Sequence, residues 1–537
     1  MSTKQNNWII FLYLLIAFLL GISVAINFLP SRKSAVTNEQ LSKLSEVLNY
    51  VDQYYVDSVD VDSLYDQTIS YILQSLDPHS AYATFEENKT MMESLHGAFE
   101  GVGIQFNIMN DTVMVVATIS GGPSEKAGIQ AGDRLIAVDG KSMIGATNEK
   151  VFKTLRGQKG SKVKISIRRQ GVRKTLHYEV VRDVIPTHTV DVAYMVNDQT
   201  GYIKLNEFGS TTAEEFHNAI EKLKSQGMKD MIVDLRGNAG GFLDAAISVC
   251  DELLPNKRQI VSIEGLHMRP ERISATRKGL FQEGKVAILI DDFSASASEI
   301  VAGAVQDNDR GYIVGRRSFG KGLVQKQFDL KDKSSIRLTT ARYHTPSGRC
   351  IQRDYKQGVN AYYEEMYERL AHGEMVCEDS IKLDKSLAYK TINGRTVYGG
   401  GGIMPDYFVP IDRGNELDGY YTIANSAAIV QFAFHYTNAH KNELKQSYPD
   451  VKSFISKMTV SDAMIQQLLA DYAKLTKEKA PILNAASKKE LKLWVKGLIG
   501  RNLYGNDGFY PIVNSTDPTL LKALSVLKKG EKLSSRD

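Results

Sequence analysis

The residues best suited to chemistry lie between positions 285 and 325. An apolar strand, Val286-Ala287-Ile288-Leu289-Ile290, runs into Asp291-Asp292 and then Ser294-Ala295-Ser296-Ala297-Ser298-Glu299. A helical stretch containing Ala302-Gly303-Ala304 follows. A hydroxyl at a strand-to-helix turn can stand exposed, with helix N–H groups aimed at charge that develops beside it. The same serines could merely cap the helix, so they do not decide the matter alone. Lys321 changes the balance. It sits in Ser318-Phe319-Gly320-Lys321-Gly322-Leu323-Val324-Gln325, where flanking glycines let backbone pack close and bury the amine. Burial penalises the ammonium form and lowers the pKa, as a lysine base requires. A neutral amine there can take the proton of the Ser296 hydroxyl. Gln325, four residues on, can hold that amine by a side-chain hydrogen bond.

A third segment, Asp234-Leu235-Arg236-Gly237-Asn238-Ala239-Gly240-Gly241, follows the strand expected at Met231–Leu235 and precedes a helix. Its adjacent glycines, Gly240 and Gly241, expose backbone N–H groups that can form an oxyanion hole; the sequence does not choose between them. Asp234 and Arg236 suit a structural ion pair.

Other chemistries find little support. Ten histidines form no HExxH pattern, and three cysteines (Cys250, Cys350, Cys377) form no CxxC pair, so no metal and no cofactor are expected. Gly315 to Lys321 imitates a phosphate-binding loop, but Gly322 stands where magnesium needs a hydroxyl and no helix is expected to follow. The net charge of +4 comes from 66 basic and 62 acidic residues without a dense basic stripe, which argues against a nucleic-acid partner.

These segments need elements to position them. Residues 33–95 read as helical from the spacing of Leu41, Leu44, Val47, Leu48, Val51, Tyr54 and Tyr55, with a second helix from about Val61 to Leu76 stopped by Pro78. From Gly97, short strands and glycine turns take over: Val102–Phe106, Val113–Thr118, Arg134–Val138, Val163–Arg168 and Leu176–Val181, with helices at Ser124–Ala127 and Asn148–Leu155. From about 185 to 412 strand and helix alternate, the pattern of an α/β sheet with buried, largely parallel strands. Residues 355–395 read as an insertion or helical excursion, and 415–537 as helical. The domains expected are 1–32, 33–95, 96–183, 184–412 and 413–537.

Taken together the motifs resemble those of the carboxyl-terminal processing peptidases, or tail-specific proteases. The matching segments, in the family's order, are Leu76-Asp77-Pro78-His79-Ser80-Ala81-Tyr82, the glycine turn at 234–241, the serine segment at 294–300, Phe319–Gln325, and Tyr343-His344-Thr345-Pro346-Ser347-Gly348-Arg349. The resemblance implies a multidomain α/β protein with a peptidase core of the ClpP/crotonase-like type. It implies a Ser–Lys pair made by Ser296 and Lys321, supported by Gln325. The oxyanion donors would be the N–H of Ala297 and that of Gly240 or Gly241. It also implies cleavage near protein C-termini without metal or cofactor. His79 and His344, inside these motifs, read as structural hydrogen-bonding residues. Segment 97–183 resembles a PDZ domain, with Gly101-Val102-Gly103-Ile104 as the carboxylate-binding loop. Such a domain takes a peptide as an added strand; Ile104, Phe106, Val151 and Leu155 would line its side-chain pocket and favour an apolar last residue. A non-catalytic, membrane-tethered PDZ scaffold is the alternative, which loss of Ser296 or Lys321 would have favoured.

Trp8 to Phe28 is almost wholly apolar and long enough to span a bilayer. It reads as a single uncleaved anchor, with a cleaved signal peptide as the alternative, since Ser23-Val24-Ala25 resembles a cleavage site. The expected location is the cell envelope, exported to the periplasmic side of the inner membrane. Protein substrates with exposed C-terminal tails are the expected partners. A second copy of the chain, or an adaptor protein, is the expected partner of the terminal helices.

Overall fold

The computed structural model describes residues 38–530, apart from 110, 120, 170, 277–278 and 412–416. The expected membrane segment lies outside these residues; among the described ones no helix is long and apolar enough to cross a membrane. The chain forms two compact units, Met1–Tyr71 and Ile72–Asp537. The described part of the first comprises helix Asn38–Tyr54 and most of helix Val61–Gln74. In the former, Leu41, Leu44, Val47, Tyr50 and Tyr54 are exposed.

The second unit is built on a six-stranded sheet in the order Val190–Met195, Thr200–Leu205, Asp230–Asp234, Val286–Ile290, Tyr312–Gly315, Tyr407–Phe408. Its first pair is antiparallel and the rest are parallel. Both faces are covered, which is why Val286–Ile290 is apolar throughout. Alternate side chains go to opposite sides. Ile288 and Ile290 pack with Val249, Val301 and Val305 of helices Leu243–Leu253 and Ala297–Asp307. Ala287 and Leu289 meet Leu520, Ala523 and Leu527 of helix Pro518–Lys529.

A second sheet has no counterpart in the sequence-based expectation. It runs Ala81–Ala83, Ser335–His344, Gln259–Glu264, Glu271–Ser274, with Leu323–Asp329 also paired to Ser335–His344. Leu323–Asp329 reads Leu-Val-Gln-Lys-Gln-Phe-Asp, a mixed pattern that conceals a strand.

Segment 97–183 forms an antiparallel sheet in which Ile104–Met109 pairs with Thr112–Thr118 on one side and lies at the edge. This strand begins two residues later than expected because Gly101-Val102-Gly103 makes a turn: Gly103 takes φ +69°, and the Val102 carbonyl accepts from the Ser124 N–H at 3.0 Å. Residues 355–395 contain helix Val359–Ala371 and strand Ala388–Lys390, which pairs with Thr396–Tyr398 just beyond them. The C-terminal helices share their own apolar cluster around Phe432, Phe454, Leu468, Leu491 and Val495. The cysteines are free thiols.

Candidate active site

The three serines of segment 294–298 have different surroundings. Ser294 and Ser298 are buried, and their hydroxyls donate to the carbonyls of Leu235 (2.8 Å) and Asn238 (2.8 Å). Ser296 faces a cavity of about 770 Å³. Its backbone holds φ 54°, ψ −112°, a conformation that costs a non-glycine residue roughly 1–3 kcal/mol and persists only where its surroundings enforce it. Here they do: the Ser296 N–H donates to Glu299 Oε2 at 2.9 Å, the Tyr343 hydroxyl donates to the Ser296 carbonyl at 3.1 Å, and the Ala295 N–H donates to the Asn238 carbonyl at 3.0 Å.

Lys321 lines the same cavity. Its Nζ donates to Gln325 Oε1 at 2.8 Å, and the Gln325 amide donates in turn to the carbonyl of His79. The motif around Asp77-Pro78-His79 therefore serves as the anchor of the glutamine. The His79 ring meets the Tyr362 hydroxyl at 2.9 Å, and burial, with Lys321 nearby, pushes its pKa down to about 4. That fits the structural role read for it. Burial and the neighbouring Arg337 charge lower the Lys321 pKa to about 8, against the pull of Glu299 and Asp77.

Glu299 binds the serine and lysine segments together. It is fully buried. Oε2 accepts from the N–H groups of both Ser296 (2.9 Å) and Lys321 (2.8 Å); Oε1 accepts from the Gly320 N–H (2.7 Å) and the Ser318 hydroxyl (2.5 Å). Burial raises its pKa against these four donors. Tyr343 repeats the tie, its single hydroxyl proton shared between the Lys321 carbonyl at 2.7 Å and the Ser296 carbonyl at 3.1 Å. Glu299 and Tyr343 both stand inside the quoted motifs, but nothing in the sequence marks them as the link between serine and lysine.

The glycine turn closes the cavity. The Gly240 N–H donates to Asn238 Oδ1 at 2.9 Å, so it is already engaged. Gly240 takes φ +105°, and a Cβ there would lie 2.9 Å from Ser296 Cβ and 3.0 Å from the Ala297 nitrogen. Gly240→Ala should therefore displace the serine turn and lower peptidase activity about 100-fold; activity within threefold of wild type would show that the turn tolerates the methyl group. Asp234 and Arg236 form the expected ion pair at 2.6 Å, and Arg236 reaches Asp517 at 2.8 Å. Although burial opposes ionisation, Arg236 and Lys204 hold the Asp234 carboxyl well below the usual carboxylate range.

Several segments of the chain match known protein families. Residues 199–362 match peptidase family S41, residues 114–169 a PDZ domain, and residues 420–505 a family of unknown function. The carboxy-terminal-processing protease of Bartonella bacilliformis is 38% identical over 348 residues, covering 63% of this chain and 80% of that protein. The chain belongs to the carboxy-terminal processing proteases. The carboxy-terminal processing protease CtpA of Bacillus subtilis is 34% identical over 61% of this chain and 70% of its own length. Among solved structures, a photosystem II D1 C-terminal processing protease is 28% identical, with a TM-score of 0.33 over 58% of this chain and 90% of the other. This carboxy-terminal processing protease is thus a serine-type endopeptidase carrying a PDZ domain, rather than a non-catalytic scaffold.

In the protease's PDZ domain, Ile104 and Phe106 are half-buried on the edge strand, opposite helix Asn148–Leu155. Val151, expected to line the pocket, is 0% exposed and belongs to the domain core, as does nearly buried Leu155. Helical spacing cannot separate core positions from pocket positions next to them. Phe152, not singled out from the sequence, is 49% exposed and packs its ring 5.0 Å from that of Phe106.

Proposed function

We propose that Ser296 is the nucleophile and Lys321 the general base, with Gln325 positioning the amine. Neutral Lys321 takes the Ser296 proton as the hydroxyl attacks the scissile carbonyl. It then returns that proton to the leaving amine, and water releases the acyl fragment from the serine. The oxyanion rests on the N–H groups of Gly241 and Ala297, since that of Gly240 is committed to Asn238. The observation that carries this reading is the shared tether: Glu299 Oε2 and the Tyr343 hydroxyl each bind both the Ser296 and the Lys321 backbone, at the wall of one cavity.

The PDZ edge strand receives the substrate tail, with Gly101–Ile104 holding its carboxylate and Ile104, Phe106 and Phe152 meeting its apolar end. The segment Trp8–Phe28 anchors the protease in a membrane, with the catalytic unit exported to the periplasmic side. The exposed row Leu41, Leu44, Val47, Tyr50 and Tyr54 is covered by the same row of a second copy. An adaptor on that row would instead leave the purified chain monomeric when its mass in solution is measured.

The test is incubation of the protease with an unfolded reporter ending in an apolar tail, across pH 5 to 9. The rate should climb with pH and level off above about 8, because the base acts only when neutral and its pKa lies near that value. The charged groups bearing on it are Arg337, Glu299 and Asp77, while His79, with its pKa pushed down to about 4, is neutral across this range. A rate that is level across this range, with folding intact, would reject a titrating Lys321.

A further inference from the structure

One charged group in the active-site cavity enters the reaction described above only by lowering the Lys321 pKa. Arg337, on strand Ser335–His344, lines the cavity with Ser296 and Lys321. Its Nε is shut off from solvent and has no hydrogen-bond partner. Among the described residues Arg337 has no ion-pair partner. The two carboxylates that line the same cavity are engaged elsewhere: Glu207 accepts from the Ser94 hydroxyl at 3.0 Å, and Asp329 accepts from the Gln327 amide at 2.8 Å. Arg337 pairs across the sheet with Gln327, two residues beyond the glutamine that holds the Lys321 amine, and its charge disfavours that amine as a cation. A partly enclosed guanidinium facing a second basic group is uncompensated, and an enclosed charge without a partner is costly.

We infer that Arg337 receives a carboxylate of the substrate on the leaving side of the scissile bond. The inference rests on the assignment of Ser296 and Lys321. In that reaction Lys321 hands a proton to the leaving amine, so the fragment being released lies on the lysine's side of the serine. Arg337 lines the cavity with that lysine, on the strand paired to Leu323–Asp329. The released fragment always ends in an α-carboxylate and can carry Asp or Glu side chains. A guanidinium pairs with either through parallel N–H donors, and the pair fixes how far from the chain end the cut falls. Arg337 is therefore a specificity residue of this protease, acting next to the bond that breaks and separately from the PDZ groove.

The experiment uses the full chain and peptides of one sequence in three forms: free acid, C-terminal amide, and amide with a single Glu placed in turn at each leaving-side position. The PDZ domain also reads a free carboxylate, so the deciding quantity is the acid-to-amide ratio of kcat/KM in wild type divided by that in Arg337→Gln, in which the PDZ contribution cancels. About a tenfold quotient is expected for loss of one charge-assisted pair, with Arg337→Lys in between. Rescue of the amide by Glu in wild type only identifies a side-chain carboxylate; preference confined to the free acid identifies the chain end. A quotient of one in both Arg337→Gln and Arg337→Lys, together with Glu rescue that is absent or equal in wild type and variants, overturns the inference; the lysine variant decides alone if the glutamine variant does not fold. Wild type inactive on every peptide would instead strike at Ser296 and Lys321.

Discussion

Lys321→Met should abolish cleavage and at the same time yield a more stable protein. The activity loss is the larger effect: removal of one member of a nucleophile–base pair typically lowers the rate roughly 10⁴-fold or more. The stability gain follows from linkage. The Lys321 pKa is about 8 in the folded chain against an ordinary 10.5. Between these values the unfolded chain binds more protons than the folded one, so stability rises with pH across that window. At pH 7 the folded state bears the full cost of an enclosed ammonium, at most about 3 kcal/mol. Methionine keeps an apolar stem without the charge. It strands Gln325 Oε1, which takes back about 1 kcal/mol, leaving a net gain of about 1–2 kcal/mol. Denaturant unfolding at pH 7 and kcat/KM on an apolar-tailed reporter measure the two effects. Cleavage within tenfold of wild type would remove the lysine from the mechanism.

Glu299→Ala should lose both stability and activity. The carboxylate serves four donors inside a closed interior: the N–H groups of Ser296, Gly320 and Lys321 and the Ser318 hydroxyl. Leaving enclosed donors unpaired costs about 1–3 kcal/mol each; with partial relaxation the loss should be about 4 kcal/mol. Glu299→Gln is nearly the same shape, yet it turns an NH₂ toward groups that themselves donate, so it should fail to restore cleavage. If either variant cleaves at the wild-type rate, the tether is not what holds nucleophile and base together.

The sequence revealed more of the reaction than of the scaffold behind it. Ser296, Lys321 and Gln325 stand out in the sequence because each sits in or beside a short run of glycines and small residues, and the fold brings all three to the wall of one cavity. Glu299 was hidden, since an acid in a first helical turn is ordinary at the surface and only its complete burial shows its task. The strand Leu323–Asp329 was hidden because Gln325 and Gln327, on the face that lines the cavity, stand where a buried strand face would carry apolar residues. The sequence left Gly240 and Gly241 equivalent because no spacing rule announces the bond from the Gly240 N–H to Asn238. Val151 was misread as a pocket residue because one helical face serves both core and groove.

The contact between Arg236 and Asp517 bears on how the protease is made. The glycine turn beside the nucleophile gains this partner only when residue 517 and the helix after it have docked on the sheet. A ribosome-bound chain that already displays Ser296 and Lys321 has still to synthesise that brace. The finished turn therefore depends on a residue 281 positions further along the chain.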